Sequence, residues 1–239
     1  MRLLAQDELP KPVFDYADGA AEREVTMRSN ESDFKRYALV PKPLRGAANR
    51  DLSVTLFGKK ITLPLIIGPT GLSGLFWPDG EREAARAAAE AGTIFCLSHG
   101  STCTIEELAA TGISPRWIQV FIYREREFTR ELCKRAQASG YEALILTLDN
   151  QVIGKRERDL ANGFTIPPEF NVFSYIQMIT KYRWLWRMRN AYKNLTFANY
   201  ARAGEKTSLY QLAQRMSDIL DPGMTWDDIS WLRDIWKGP

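Results

Sequence analysis

A chain of 239 residues that is 45% hydrophobic and 26% charged is globular material, not a disordered tail, and suffices for one large domain or two small ones. The 32 basic and 29 acidic residues leave a formal charge of +3, too mild a bias for a nucleic-acid-binding surface. Three cysteines, Cys96, Cys103 and Cys133, lack a Cys-x-x-Cys spacing and His99 is the single histidine, which argues against a disulfide framework, a zinc site and a multi-histidine metal centre and points to a reducing cytoplasm.

The N-terminus, Met1 to Pro12, carries Asp7, Glu8 and Lys11 and no apolar run, so neither a signal peptide nor a membrane span is expected there. Pro10 to Arg23 reads as a helix. Val54 to Leu63 reads as a hairpin turning at Gly58, Lys59 and Lys60, suited to cap the bottom of a barrel. From Pro64 onward, four short runs rich in branched residues alternate with helical patterns: Leu65 to Gly68, Thr93 to Leu97, Trp117 to Ile122 and Ala143 to Leu148. Their nearly unbroken apolar character fits parallel strands covered on both faces, as βα units require. The helices between them carry their own boundaries. Glu81 to Ala91 is alanine-rich and stops at Gly92, Thr104 with Glu107 forms a capping box, and Arg124 to Ser139 closes at Gly140. Asn150 to Pro222 holds no clear strand and reads as a long insertion, after which Thr225 to Trp236 is a capped amphipathic helix. A fifth strand is due where the chain reaches Lys237 to Pro239, and four strands do not close an eight-stranded barrel.

Ligand groups in βα folds gather at the carboxyl ends of the strands. Those ends read Gly68, Pro69, Thr70, Gly71; Ser98, His99, Gly100; Gln119; and Thr147, Leu148, Asp149. Small hydroxyls and an amide there can hydrogen-bond a flat heteroaromatic ring, with glycines letting it approach the backbone. Turn initiation explains the same residues equally well from spacing alone. The glycines of Gly68 to Gly74 do not follow G-x-G-x-x-G and no Walker lysine follows, which disfavours a nicotinamide or nucleoside triphosphate site.

Five stretches in order, LPKPVFDYADGAAERE (Leu9 to Glu24), LPLIIGPTGLSG (Leu63 to Gly74), LSHGSTCTIEEL (Leu97 to Leu108), WIQVFIYRERE (Trp117 to Glu127) and LTLDNQVIGKRERDL (Leu146 to Leu160), resemble the FMN-dependent 2-hydroxy-acid dehydrogenases and oxidases, with the mandelate-dehydrogenase branch nearest. The resemblance implies a (β/α)8 TIM barrel, here truncated after about four βα units. Within a single barrel domain it would place a helix and hairpin cap over residues 1–63, strands 1 to 4 over 64–149, the insertion over 150–224 and helix 4 over 225–237. It implies FMN as cofactor, with Pro69, Thr70 and Gly71 against the ring and Ser98, Gln119 and Thr147 as further flavin contacts. It further implies Tyr16 and Arg156 as holders of the substrate carboxylate, and Asp149 as the carboxylate that orients the catalytic histidine. That histidine follows strand 6 in the family, as a flavin-side lysine lies on strand 5, so His99 is expected to be a pocket-wall or turn residue.

Two positions depart from the family pattern. Phe121 stands where an active-site tyrosine is usual, which removes a hydroxyl, and Tyr123 lies two residues on, nearer the edge of the site. Gly100 replaces a bulky aromatic, leaving space for a large, mandelate-like acid.

Within the insertion, Tyr175 to Lys193 mixes aromatic and basic residues with no acidic one. On a helix from Tyr182, Trp184, Leu185, Met188, Ala191 and Tyr192 form an apolar arc against Arg183, Arg187, Arg189, Asn190 and Lys193, with Trp186 spoiling the polar side. Contact with an anionic membrane surface, and packing on the barrel or a neighbouring subunit, both follow from this pattern. The expected activity is oxidation of a small 2-hydroxy acid, lactate- or mandelate-like, to a 2-oxo acid, by a cytoplasmic protein, peripheral on the inner face of the membrane and homo-oligomeric when complete. Alternatives are a non-catalytic half-barrel interaction module and a membrane-surface-binding fragment.

Overall fold

The computed structural model describes residues 1–46, 48–149, 154–164, 169–191, 195–200 and 221–239. Backbone contacts divide the chain into two compact units, Met1–Leu52 with Gly154–Tyr182, and Ser53–Ile153 with Arg183–Pro239.

The second unit carries the sheet. It opens with an antiparallel hairpin, β1 (Val54–Leu56) and β2 (Lys59–Ile61), paired Val54 to Ile61 and Leu56 to Lys59. The turn falls on Phe57 and Gly58, at φ of 47° and 80°, one residue earlier than the sequence suggests. A two-residue turn with both φ values positive matches strand twist, which draws Lys59 and Lys60 into the strand.

Strands β3 (Ile66–Ile67), β4 (Ile94–Ser98), β5 (Arg116–Val120) and β6 (Ala143–Leu146) follow as one parallel sheet in that spatial order, each at one of the four expected runs. The period of two splits their side chains cleanly. Phe95, Leu97, Ile118 and Val120 pack in one cluster with Ala85 and Ala88 of the helix Gly80–Glu90, Leu108 of Ile105–Ala109, and Leu132, Cys133 and Ala136 of Arg126–Ala138. Ile94, Cys96, Trp117 and Ala143 point to the other face, where Ile61 of the hairpin joins them. Phe57 adds its ring 5.6 Å from that of Trp117. One sheet face is therefore covered by helices and the lower part of the other by the hairpin. What remains is the carboxyl end of that second face, occupied by the residues that continue its alternation: Ser98, Gln119 and Thr147.

Capping sets the helix boundaries. Thr104 and Glu107 form the expected box, and Thr225 with Asp228 forms another at the helix Trp226–Ile235. Beyond that helix the Pro239 carbonyl accepts from the Leu144 N–H at 3.0 Å, alongside β6.

The first unit is helical: Arg2–Glu8, Lys11–Asp18, Val25–Ser32, Glu157–Ala161 and Val172–Thr180. The helix expected over Pro10 to Arg23 stops at Asp18. A Cβ at Gly19 would stand 2.6 Å from the Asp15 carbonyl, and Glu22 and Glu24 adopt left-handed backbone, so the chain turns away there. Arg158 fixes the turn by donating to Asp18 at 3.1 Å and Glu24 at 2.5 Å.

The interval read as an insertion holds three helices among its described residues, Glu157–Ala161, Val172–Thr180 and Tyr182–Ala191, and residues 201–220 of it lie outside the described ones.

Candidate functional site

Register places Ser98 opposite Gln119, one step above Cys96 opposite Trp117, and Thr147 extends β6 by donating its N–H to the Val120 carbonyl at 3.2 Å. Their side chains form a continuous row. The Gln119 amide donates to Thr147 Oγ1 at 2.9 Å, and the Ser98 hydroxyl donates to Gln119 Oε1 at 3.3 Å while accepting from the Gly100 N–H at 3.1 Å. Ser98 and Gln119 are buried, so each must satisfy its polar atoms locally.

Beside the row runs the loop after β3. Gly68, Pro69 and Thr70 are exposed and Gly71 is half-buried. A Cβ at Gly71 would lie 3.2 Å from the Gly100 carbonyl, which also accepts from the Leu72 N–H at 3.0 Å. The loops after β3 and β4 thus lie edge to edge. Glu81, buried at 1% exposure, holds them there: its carboxyl group accepts from the Ser73 N–H at 2.9 Å, the Thr102 N–H at 2.8 Å and the Thr102 hydroxyl at 2.6 Å. Nothing in the local pattern of Glu81 distinguishes it from an ordinary surface residue of its helix.

His99 sits at the back of the row and is fully buried. Nδ1 lies 2.8 Å from Gln119 Oε1 and Nε2 lies 2.6 Å from the Tyr200 hydroxyl, which in turn meets the Tyr123 hydroxyl. Burial pushes the imidazole pKa down to about 4, only partly opposed by hydrogen bonds to Gln119, so the ring is neutral at physiological pH. Burial likewise raises the phenols of Tyr123 and Tyr200. The partner that ties His99 down, Tyr200, is 101 positions away and had no local signal in the sequence.

Tyr200 belongs to Leu195–Tyr200, a short piece of the supposed insertion that is built into the sheet unit. Asn199 accepts from the Ile105 N–H at 3.0 Å and donates to Ser101 Oγ at 3.0 Å and the His99 carbonyl at 3.3 Å. Phe197 lies where Gly100 leaves room, since a Cβ there would meet its ring at 3.8 Å. The space expected at Gly100 for a large substrate is thus bordered by the chain's own aromatic. Phe121 is half-buried, its ring 4.4 Å from that of His99. Tyr123, beyond the end of β5 at Val120, is fully buried with its hydroxyl bound to that of Tyr200.

Asp149 follows β6 in the same unit and is exposed. In the helical unit, Arg156 and Tyr16 are brought together. The Arg156 guanidinium carbon lies 5.3 Å from the Tyr16 ring centroid, and the group donates to the Tyr16 and Gly19 carbonyls at 2.5 and 3.2 Å and to Asp159 at 2.5 Å. Burial raises the Tyr16 phenol pKa, with the Arg156 charge pulling the other way. The second Asp159 oxygen is buried without a hydrogen-bond partner.

In the helix Tyr182–Ala191, Trp184 and Met188 are buried and the Arg187 guanidinium lies 4.8 Å from the Trp77 ring centroid. Two residues of the predicted apolar arc are therefore buried, while its Leu185, like Tyr182 and Trp186, is exposed and Ala191 is half-buried; Tyr192 and Lys193 lie outside the described residues. The conspicuous exposed face is instead on Val172–Thr180, where Val172, Phe173, Tyr175, Ile176 and Ile179 are each more than half exposed. Asn171 caps that helix by accepting from the Ser174 N–H at 2.8 Å, and the uncharged run Val172 to Thr180 behind it was the available signal. Among the described residues no helix is long and apolar enough to cross a membrane, and no cluster of His, Cys, Asp or Glu could hold a metal ion.

A family model described as FMN-dependent dehydrogenase matches residues 5–239. L-lactate dehydrogenases from Serratia proteamaculans and Alcaligenes faecalis are 37% and 36% identical over the whole chain, which covers 63% of each. A crystal structure of the monotopic membrane protein (S)-mandelate dehydrogenase superposes with a TM-score of 0.94 at 36% identity, over 99% of this chain and 63% of that one. A soluble mutant of the membrane-associated (S)-mandelate dehydrogenase from Pseudomonas putida gives 0.77 at 35% identity, over 99% and 60%. The chain thus spans about 63% of the length of the curated relatives it matches.

Proposed function

The chain belongs to the FMN-dependent dehydrogenase family, and from that premise we propose that it supplies the flavin-ring side of an enzyme oxidising a lactate- or mandelate-like 2-hydroxy acid to the 2-oxo acid. The observation that carries this reading is the Ser98, Gln119 and Thr147 row, three polar side chains linked across adjacent parallel strands at their carboxyl ends.

Those residues fit a flavin by the chemistry of the donor set. The ring is flat, with acceptor atoms along one edge, and the row offers hydroxyl and amide hydrogens along a line, beside the exposed backbone of Gly68 to Thr70. Bound there, FMN supplies a two-electron acceptor whose electronics respond to such hydrogen bonds. Pro69, Thr70 and Gly71 lie against the ring, and Ser98, Gln119 and Thr147 hold its edge. Arg156 and Tyr16 bind and orient the substrate carboxylate, a planar anion suited to a guanidinium. Asp149 orients and charges a histidine base contributed from outside these residues. The 239 residues act as the N-terminal part of one barrel domain.

The test is a version extended through eight strands, assayed for flavin content and for oxidation of L-lactate and (S)-mandelate. A yellow protein that oxidises at least one supports the reading; a colourless protein inert toward both sinks it.

A second reading concerns placement. Five apolar side chains exposed on one nine-residue helix, Val172–Thr180, fit the acyl boundary of a lipid surface better than water, and a monotopic membrane protein is among the similar structures. It supports the proposal of a cytoplasmic protein held peripherally on the inner membrane face. Flotation with anionic vesicles tests it: binding is lost when Phe173, Ile176 and Ile179 become serine, and unchanged flotation excludes this helix as the anchor.

A further inference from the structure

We propose that Tyr123, Tyr200 and His99 form a directional hydrogen-bond relay that locks the Gln119 side chain with its carbonyl inward and its NH2 group outward, making Gln119 an obligate donor toward the flavin edge. The outward half of this statement rests on the flavin reading above; the inward half does not.

Counting donors fixes the direction. Tyr123 is fully buried and its hydroxyl meets one partner, the Tyr200 oxygen. A buried O–H left without an acceptor is costly, so Tyr123 donates to Tyr200. Tyr200 must then direct its own hydrogen to its other partner, His99 Nε2 at 2.6 Å. An Nε2 that accepts leaves the proton of the neutral ring on Nδ1, which donates to Gln119 Oε1 at 2.8 Å. The Ser98 hydroxyl donates to the same oxygen at 3.3 Å. With Oε1 taken by two donors, the amide nitrogen faces Thr147, donates one hydrogen to Oγ1 at 2.9 Å and keeps the second for a ligand. Thr147, having accepted, keeps its hydroxyl hydrogen too. Reversing the relay would put Nε2–H against Tyr200 and strand the Tyr123 hydrogen in a buried aromatic cluster. Tyr123, Tyr200 and His99 are thus positioning residues acting through Gln119.

The single histidine makes the test direct, because nitrogen-15 NMR of the purified chain shows one imidazole. Expected in the wild type is the Nδ1–H tautomer alone. Tyr123→Phe leaves the buried Tyr200 hydroxyl with Nε2 as its one acceptor and is expected to keep the Nδ1–H tautomer, whereas Tyr200→Phe removes the donor to Nε2 and is expected to move the Nε2 shift to that of a lone pair without a hydrogen bond. Gln119→Glu retains the acceptor for Nδ1–H but removes the outward donor. It is expected to keep the tautomer while weakening FMN binding, read by fluorescence quenching, about tenfold, as loss of one buried hydrogen bond to a ligand does. An Nε2–H tautomer in the wild type or in Tyr123→Phe, or an Nε2 shift unmoved in Tyr200→Phe, overturns the relay, and Gln119→Glu binding FMN like the wild type overturns the outward donor. A wild-type chain with the Nδ1–H tautomer and no affinity for FMN upholds the relay and defeats the flavin reading alone.

Discussion

The end of the parallel sheet and the helix Val172–Thr180 break the ordinary rule of burial in opposite ways. At the strand ends, polar side chains (Ser98, His99, Gln119) are buried and answer one another through hydrogen bonds. On the helix, apolar side chains (Val172, Phe173, Ile176, Ile179) face solvent. The first arrangement is determined largely from within: Ser98, His99 and one Gln119 N–H have assigned acceptors, and the chain gains a rigid row of defined polarity. The second has no such internal answer and costs hydration at every residue. Changes at the strand ends should therefore register in stability, and changes on the exposed helix in association.

Glu81→Leu should show the largest effect. It strands the Ser73 and Thr102 backbone donors that the carboxyl group holds, and a loss of about 3–5 kcal/mol is expected in urea unfolding. A loss under about 1 kcal/mol would mean that the loops after β3 and β4 hold themselves.

Acid comes next. His99 stays neutral in the folded chain down to about 4, whereas 6.5 is its ordinary value. The unfolded chain therefore takes up the proton first, so stability is full above pH 6.5 and is lost as pH falls toward 4, by about 3 kcal/mol for a shift of this size. Unfolding curves of wild type and His99→Gln across that window should diverge in slope, and parallel slopes would contradict the buried neutral ring.

Thiol chemistry sharpens the same contrast at smaller scale. Burial raises Cys96, Cys103 and Cys133 to about 12, so all three should resist alkylation at pH 8 until denaturant is added, and rapid labelling of the folded chain would show an open sheet unit.

Smallest in stability is Ile176→Ser with Ile179→Ser, expected to lie within about 0.5 kcal/mol of wild type while reducing vesicle flotation. A strongly destabilised variant would mean that this face is packed in solution.

The same contrast explains what could be read beforehand. The four strands were legible because branched, unbroken apolar runs bounded by glycine-stopped helices admit few alternatives, and Ser98, Gln119 and Thr147 were legible because strand ends are where such residues gather. The hairpin turn slipped by one residue since Phe57 tolerates a positive φ that favours glycine. The helix from Pro10 was drawn too long because the extended backbone at Gly19 and the left-handed Glu22 and Glu24 that follow have no periodic signature. Glu81 and the His99 relay were illegible for a deeper reason. A carboxyl group on an alanine-rich helix looks solvated, and the bond from His99 to Tyr200 spans 101 residues through a segment without periodicity. Of the amphipathic arc expected from Tyr182, Trp184 and Met188 are buried but Leu185 is exposed, and the larger exposed apolar face lies one helix earlier.

The central claim, that the Ser98, Gln119 and Thr147 row receives a flavin ring, is tested most directly by titrating the purified chain with riboflavin and with FMN and following fluorescence. Saturable quenching by both, weakened at least several-fold in Gln119→Leu, is the result predicted for a site that grips the ring. Quenching by neither, or binding indifferent to Gln119→Leu, contradicts it.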